Sequence, residues 1–222
     1  MAAKPKSAER KARIAAQQAA ERARERRNKL LLRSGVAVAA LAVVGGIVTV
    51  AVNSNHSSTS ASGTARWSAP ADAAGAVKAA GLPMLAAEGT AEHIHAHLDV
   101  YVDGKQVTVP ALVGIDESAN QLSPLHTHDT TGVVHIESPT VKSYSLGQFM
   151  KEWQVTLSGT QLGDAKTDAT HTLTAYVDGK KVTGDPASIV LGAHDEIALV
   201  YGTASENATV SVPTSYAWTN GL

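Results

Sequence analysis

Between Glu92 and Val102 apolar and polar residues alternate with period 2. Ile94, Ala96, Leu98, Val100 and Val102 fall on one face of a predicted strand. His93, His95, His97, Asp99 and Tyr101 fall on the other. One face joins a core, and the other presents three imidazoles in a row. A second histidine group follows in Leu125-His126-Thr127-His128-Asp129 and in the predicted strand Val133-Val134-His135-Ile136-Glu137.

The same pattern returns 75 residues later. Tyr101-Val-Asp-Gly-Lys-Gln-Val-Thr108 matches Tyr176-Val-Asp-Gly-Lys-Lys-Val-Thr183 at seven of eight positions. Asp-Gly between β-branched residues predicts a tight hairpin in each copy. Leu98, Val100 and Val102 correspond to Leu173, Ala175 and Val177, so the core face is kept. His97 and Asp99 correspond to Thr172 and Thr174, so the imidazole face is not. Helical spacing occurs once in this region: Leu146, Phe149, Met150 and Trp153 fall at i, i+3, i+4 and i+7. The expected fold is mainly β, a sandwich or open barrel over residues 88–222 with an internal hairpin repeat and one short helix. Residues 55–87 read as a Ser/Thr/Ala-rich linker, in which Ala71–Ala80 can form a short helix.

Upstream the pattern changes twice. Gly35–Val52 is apolar, and Ser34–Asn55 carries no charge. At 1.5 Å per residue the apolar run spans roughly 27 Å, enough for a bilayer core. Residues 34–54 are therefore expected to be one transmembrane helix. Small residues near position 61 leave a cleaved signal sequence as the alternative. Residues 1–33 carry eleven Lys/Arg against three Glu, and the rest of the chain eight against seventeen Asp/Glu, so a net charge of −1 conceals +8 and −9. Before an apolar run, such an arm reads as a cytoplasmic flank and not as a nucleic-acid arm. The arm can lie on anionic lipid, and the domain is then extracytoplasmic.

Cysteine is absent, which excludes disulfides, thiolate metal sites and cysteine nucleophiles. Six of the nine histidines lie in the two groups. Side chains two apart on a strand stand about 6.6 Å apart and those four apart about 13 Å, so one ion cannot use His93 and His97 together. The sequence reading has His95 and His97 converge with His126 and His128 on one divalent ion, with His93 and His135 next in line. Asp99, Asp129 and Glu137 are expected to support the ligands, and His56, His171 and His194 are read as structural. Taken singly, each histidine has a plainer role: a solvated strand face, a turn cap at His126 or His128, a hydrogen-bonded core residue at His135. Imidazole sets suit zinc, copper(II), nickel or non-haem iron, and zinc and copper(II) rank first.

The blocks His93-Ile-His-Ala-His-Leu, Val109-Pro-Ala-Leu-Val-Gly-Ile, Leu125-His-Thr-His-Asp-Thr-Thr-Gly-Val-Val-His-Ile-Glu137 and Leu146-Gly-Gln-Phe resemble an uncharacterised family of exported or membrane-anchored prokaryotic proteins. The resemblance covers roughly residues 88–203. It implies that the histidine blocks form a unit, and it implies no reaction.

Three functions compete. The first is an anchored extracytoplasmic module that holds or delivers a transition metal. The second is a metalloenzyme with an open three-histidine site and Glu137 or Asp129 as base. The third is an interaction domain of a membrane complex, without metal. The chain has no Gly-rich phosphate loop and no Gly-x-Ser-x-Gly, so nucleotide and acyl-transfer chemistry lack support.

Overall fold

The computed structural model describes residues 66–219. The basic arm, the apolar segment 34–54, His56 and the first part of the linker lie outside the described residues. Among the described residues no helix is long and apolar enough to cross a membrane.

The longest strand is β1, Glu92–Val102, and it organises a seven-stranded sheet. One edge of β1 pairs antiparallel with β6 (Val133–Ser138) over Glu92–His97, then with β2 (Lys105–Val107) over Val100–Val102. The other edge pairs with β12 (Glu196–Thr203), in parallel, over His97–Val102. Beyond β6 lies β5 (Leu125–His126). Beyond β12 lie β10 (His171–Val177) and β11 (Lys180–Lys181). The sheet is open, with β5 and β11 at its two ends. Small sheets form from β3 (Ile115–Asp116) with β4 (Gln121–Leu122), and from β7 (Leu157–Ser158), β8 (Gln161–Leu162) and β9 (Ala165–Lys166). The domain is thus β-rich, as the alternation predicts.

Both Asp-Gly repeats are hairpin turns. Asp103 and Gly104 have φ of 53° and 73°, Asp178 and Gly179 of 51° and 73°. Positive φ at both central residues is the turn whose twist matches paired strands. The two hairpins flank β12 in one sheet and do not form separate halves. Register places Leu98, Ile197 and Val177 in one row and Val100, Leu199 and Ala175 in the next, so the corresponding apolar residues share one face.

Two seven-residue helices share the core with that face. α1 is Ala73–Ala79, capped by the Asp72 side chain on Gly75 N–H. α2 is Leu146–Glu152, opened by a capping box between Ser145 and Gln148. Leu146, Phe149, Met150 and Trp153 are buried as the helical spacing predicts. Val77, Ala80 and Leu82 belong to the same core, and Trp67 sits edge-on to Trp153 at 5.8 Å. Residues that composition places in the linker are therefore built into the domain. Alanine hides this in sequence: it lets α1 approach closely without supplying a bulky apolar stripe.

The polar face is covered too. After α3 (Ala204–Asn207) the chain passes both hairpin tips and returns over β1. A Cβ on Gly104 would meet Thr209, and one on Gly179 would meet Thr214. Tyr216 then stacks on His97 at 4.0 Å, and Trp218 on His194 at 4.7 Å. His97 is thus covered by Tyr216, and His95, packed between His93 and His135, and Asp99, bonded to Gln106, are buried too, where alternation alone leaves all three facing water.

Candidate metal centre

Strand register decides which histidines meet. His95 lies opposite His135 on β6, and His135 lies opposite His126 on β5. Three imidazoles therefore form one row across three strands. His128, two residues past His126, leaves the sheet, and its Nε2 stands 3.1 Å from His126 Nε2. Ring nitrogens of His126, His128 and His135 all lie within 4.8 Å of one another.

The far sides of two rings are fixed. His126 Nδ1–H donates to the Ser123 carbonyl at 2.9 Å, and His135 Nδ1–H donates to Glu137 Oε1 at 3.0 Å. That assignment leaves Nε2 of both rings as lone-pair donors. A metal-ligating imidazole is typically oriented this way, by a carbonyl or carboxylate on its other nitrogen. Thr127, between His126 and His128, is held on both sides. Its hydroxyl donates to Pro110 O at 2.7 Å and accepts Val113 N–H at 3.1 Å, and its backbone pairs with Leu112 and Val113. The 109–113 segment is thus a clamp on the histidine pair. Beside it Gly114, at φ 74°, leaves room for the Leu125 carbonyl, which a Cβ would meet at 2.3 Å.

Charge follows burial. Burial drives His126 down to about 3 and outweighs Glu137 nearby. Burial also lowers His95 and His128. Burial pushes Glu137 up, but its hydrogen bond from His135 and its imidazole neighbours outweigh that and hold it well below the usual carboxylate range. Burial thus favours the neutral form of His126, His95 and His128 beside an ionised Glu137, and a metal requires its imidazole ligands neutral.

His97 does not join this centre. Its row on β6 begins with Val133, which has no ligand atom. On β12 its row partner is Glu196, whose carboxylate lies 3.0 and 3.1 Å from Nδ1, while Nε2 lies 2.8 Å from the Thr131 carbonyl. Burial lowers His97, but the Glu196 hydrogen bond, then Glu196 and Asp99 charge, outweigh it and raise the ring overall. His97, Asp99 and Glu196 form a group of their own. The sequence reading joins both His95 and His97 to His126 and His128; in the structure His135 joins that pair instead, and His95 groups with His93 and Glu137. No protein family, curated protein or solved structure matches the chain.

The supporting residues divide as well. Glu137 is central. Asp99 accepts from Gln106 Nε2 at 2.5 Å and faces His97. Asp129 is exposed and caps its own turn through Thr131 N–H at 2.9 Å. His93, also exposed, points Nε2 at Glu137 Oε1 from 3.5 Å. His171 and His194 stand apart from the centre. Asp103, His171 and Glu206 are close enough for a cation, but Asp168 binds His171 Nδ1 and the Thr203 cap engages Glu206.

Sequence reasoning missed Glu88, Glu196 and Tyr216. Glu88 Oε1 lies 3.8 Å from His128 Nε2, at the exposed mouth of the centre. None of the three lies within the two histidine groups, so only register and chain return reveal them.

Proposed function

We propose that this chain holds a divalent transition metal, zinc or copper(II), through Nε2 of His126, His128 and His135. The observation that carries this reading is the 3.1 Å approach of His126 Nε2 to His128 Nε2. His126 Nδ1 is the protonated nitrogen of its ring, so Nε2 offers a lone pair. In the metal-free protein one proton, on His128 Nε2, fills the gap between the rings; a cation would take its place, with His128 passing to the tautomer that carries its proton on Nδ1. The fourth position faces solvent at exposed His128 and Glu88, which suits loading and unloading. With Glu137 under His135, this is a metal-holding or delivery site in a β-rich domain of sandwich or open-barrel kind.

The anchor belongs to the same proposal. The +8 arm before an uncharged apolar run supports a single-pass chain, N-terminus cytoplasmic and domain extracytoplasmic, in keeping with the family it resembles. A membrane-protein partner for metal exchange is part of this reading. Protease on intact spheroplasts should digest residues past about position 55 and spare the basic arm; a protected domain reverses the orientation.

The deciding measurement uses the full chain, purified without a His tag and stripped of metal. Calorimetric titration with zinc at pH 7.5 should show a tight site that His128→Ala weakens at least 100-fold. His128 is exposed, so its loss leaves the fold intact. Equal zinc binding in wild type and variant overturns the proposal.

A further inference from the structure

The imidazoles on β1 that the first site leaves over have a carboxylate of their own. Register sets His93 directly opposite Glu137, one row from His95 and His135. Ligand atoms of His93, His95 and Glu137 lie within 4.8 Å of one another. His93 Nε2 stands 3.5 Å and His95 Nε2 3.7 Å from Glu137 Oε1. His95 Nε2, at 3.7 Å, is beyond hydrogen-bond reach. Both distances are near the separation of two ligands on one ion: bonds of about 2.0–2.1 Å at tetrahedral angles put neighbouring donors about 3.4 Å apart.

Two atoms in this cluster have no hydrogen-bond partner among the described residues. His95 Nε2 and Glu137 Oε2 are buried without a hydrogen bond, in residues 4% and 2% exposed. Leaving a polar atom buried and unpaired costs about 1–3 kcal/mol, more for a charged one. A plain ion pair between Glu137 and His135 accounts for Oε1 only. A cation between His93, His95 and Glu137 satisfies His95 Nε2 directly and neutralises the carboxylate.

We propose that His93, His95 and Glu137 form a second site for a divalent transition metal, joined to the first by the His135–Glu137 hydrogen bond. This rests on the reading of His126, His128 and His135 as the first site. Two imidazoles and a carboxylate make a harder ligand set than three imidazoles, suited to zinc or iron(II), with positions left open toward exposed His93. Glu137 then has two tasks: it ligates the second ion and orients His135 for the first. Loss of such an orienting carboxylate typically weakens metal binding 10- to 100-fold.

Zinc titration of the metal-free full chain at pH 7.5 separates the two sites. Wild type should bind two zinc ions tightly. His93→Ala, an exposed change that leaves packing alone, should bind one, as should His128→Ala. The near-isosteric Glu137→Gln should also bind one, held 10- to 100-fold more weakly than the ion that remains in His93→Ala. Two tight ions in His93→Ala overturn the second site and leave the first standing. A single wild-type ion lost in His128→Ala has the same meaning. No tight ion in wild type overturns the first site and the second with it.

Discussion

Glu196 and His97 face each other across the parallel pair of β12 and β1, with the imidazole Nδ1 3.0 Å from the carboxylate. The Thr131 carbonyl on Nε2 can only accept, so both ring nitrogens are engaged as donors when the ring is charged. Gly132 makes the arrangement possible: at φ 91° it lies so close that a Cβ would stand 2.9 Å from His97 Nε2. A ring fixed in this way supports the fold under Tyr216.

Glu196→Gln should therefore destabilise the domain and spare zinc binding. Removing one partner of a buried pair costs about 3 kcal/mol. His97 is raised in the folded state, so its contribution is complete below about pH 6.5 and is lost as pH rises through the folded value. Thermal unfolding of wild type and variant should differ most near pH 6 and converge in alkali. A constant difference across pH counts against the pairing.

The lowered values of His126, His95 and His128 make the opposite statement. As pH falls below about 6.5 the unfolded chain takes up protons that the buried rings refuse. For His126 stability should drop by about 1.4 kcal/mol per pH unit down to about pH 3. The same resistance to protonation protects the metal. Equilibrium dialysis should place half-loss of zinc below pH 6.5, the value for free imidazoles; release centred above it contradicts the burial of the centre.

Glu152, at the end of α2, accepts from the Ser123 hydroxyl, and burial outweighs that bond to push it up to about 8. The unfolded carboxyl ionises above about pH 4.5 while the folded one stays neutral. Stability should then fall by about 1.4 kcal/mol per unit between those values. Glu152→Gln removes the dependence. Denaturant unfolding at pH 5 and pH 8 should show the variant gaining on wild type as pH rises; a flat comparison means that Glu152 is ionised in the fold.

Thr127→Val keeps the shape and deletes the hydroxyl that joins Pro110 and Val113. A buried pair of hydrogen bonds lost this way costs about 1–3 kcal/mol. His126 and His128 lose their clamp together, so zinc affinity should fall about 10-fold, in the range of supporting-residue changes. Saturating zinc should restore part of the lost thermal stability. Unchanged affinity would show that the pair is held by the sheet alone.

The face of each side chain was legible in the sequence, and the row was not. Alternation put His93, His95 and His97 on one side of β1 correctly, because period 2 is a property of the strand itself. Which of them meets His126 depends on pairing with β5 and β6, and no single segment encodes that. For this reason His135 stands with His126 and His128 where the sequence reading puts His95 and His97. The helix at Leu146–Glu152 was visible because its apolar spacing and its Ser145 cap are local. α1 was not placed in the core, since an alanine-rich turn looks the same in a linker. The cover over the imidazole face comes from Tyr216, more than a hundred residues beyond β1, and leaves no mark on the pattern there.

β5 is two residues long and ends the sheet, and among the described residues no strand pairs with its other side. So short an edge offers few backbone groups for another chain to pair with, and few sheet bonds to hold it in place. Its His126 is also the outermost imidazole of the row. A cation shared with His135 and His128 would rivet that edge to its neighbour, so that opening β5 requires giving up the ion. The loaded protein would then resist opening at this margin more than the metal-free one. Loss of a bound ion and loosening of the sheet would be one mechanical event.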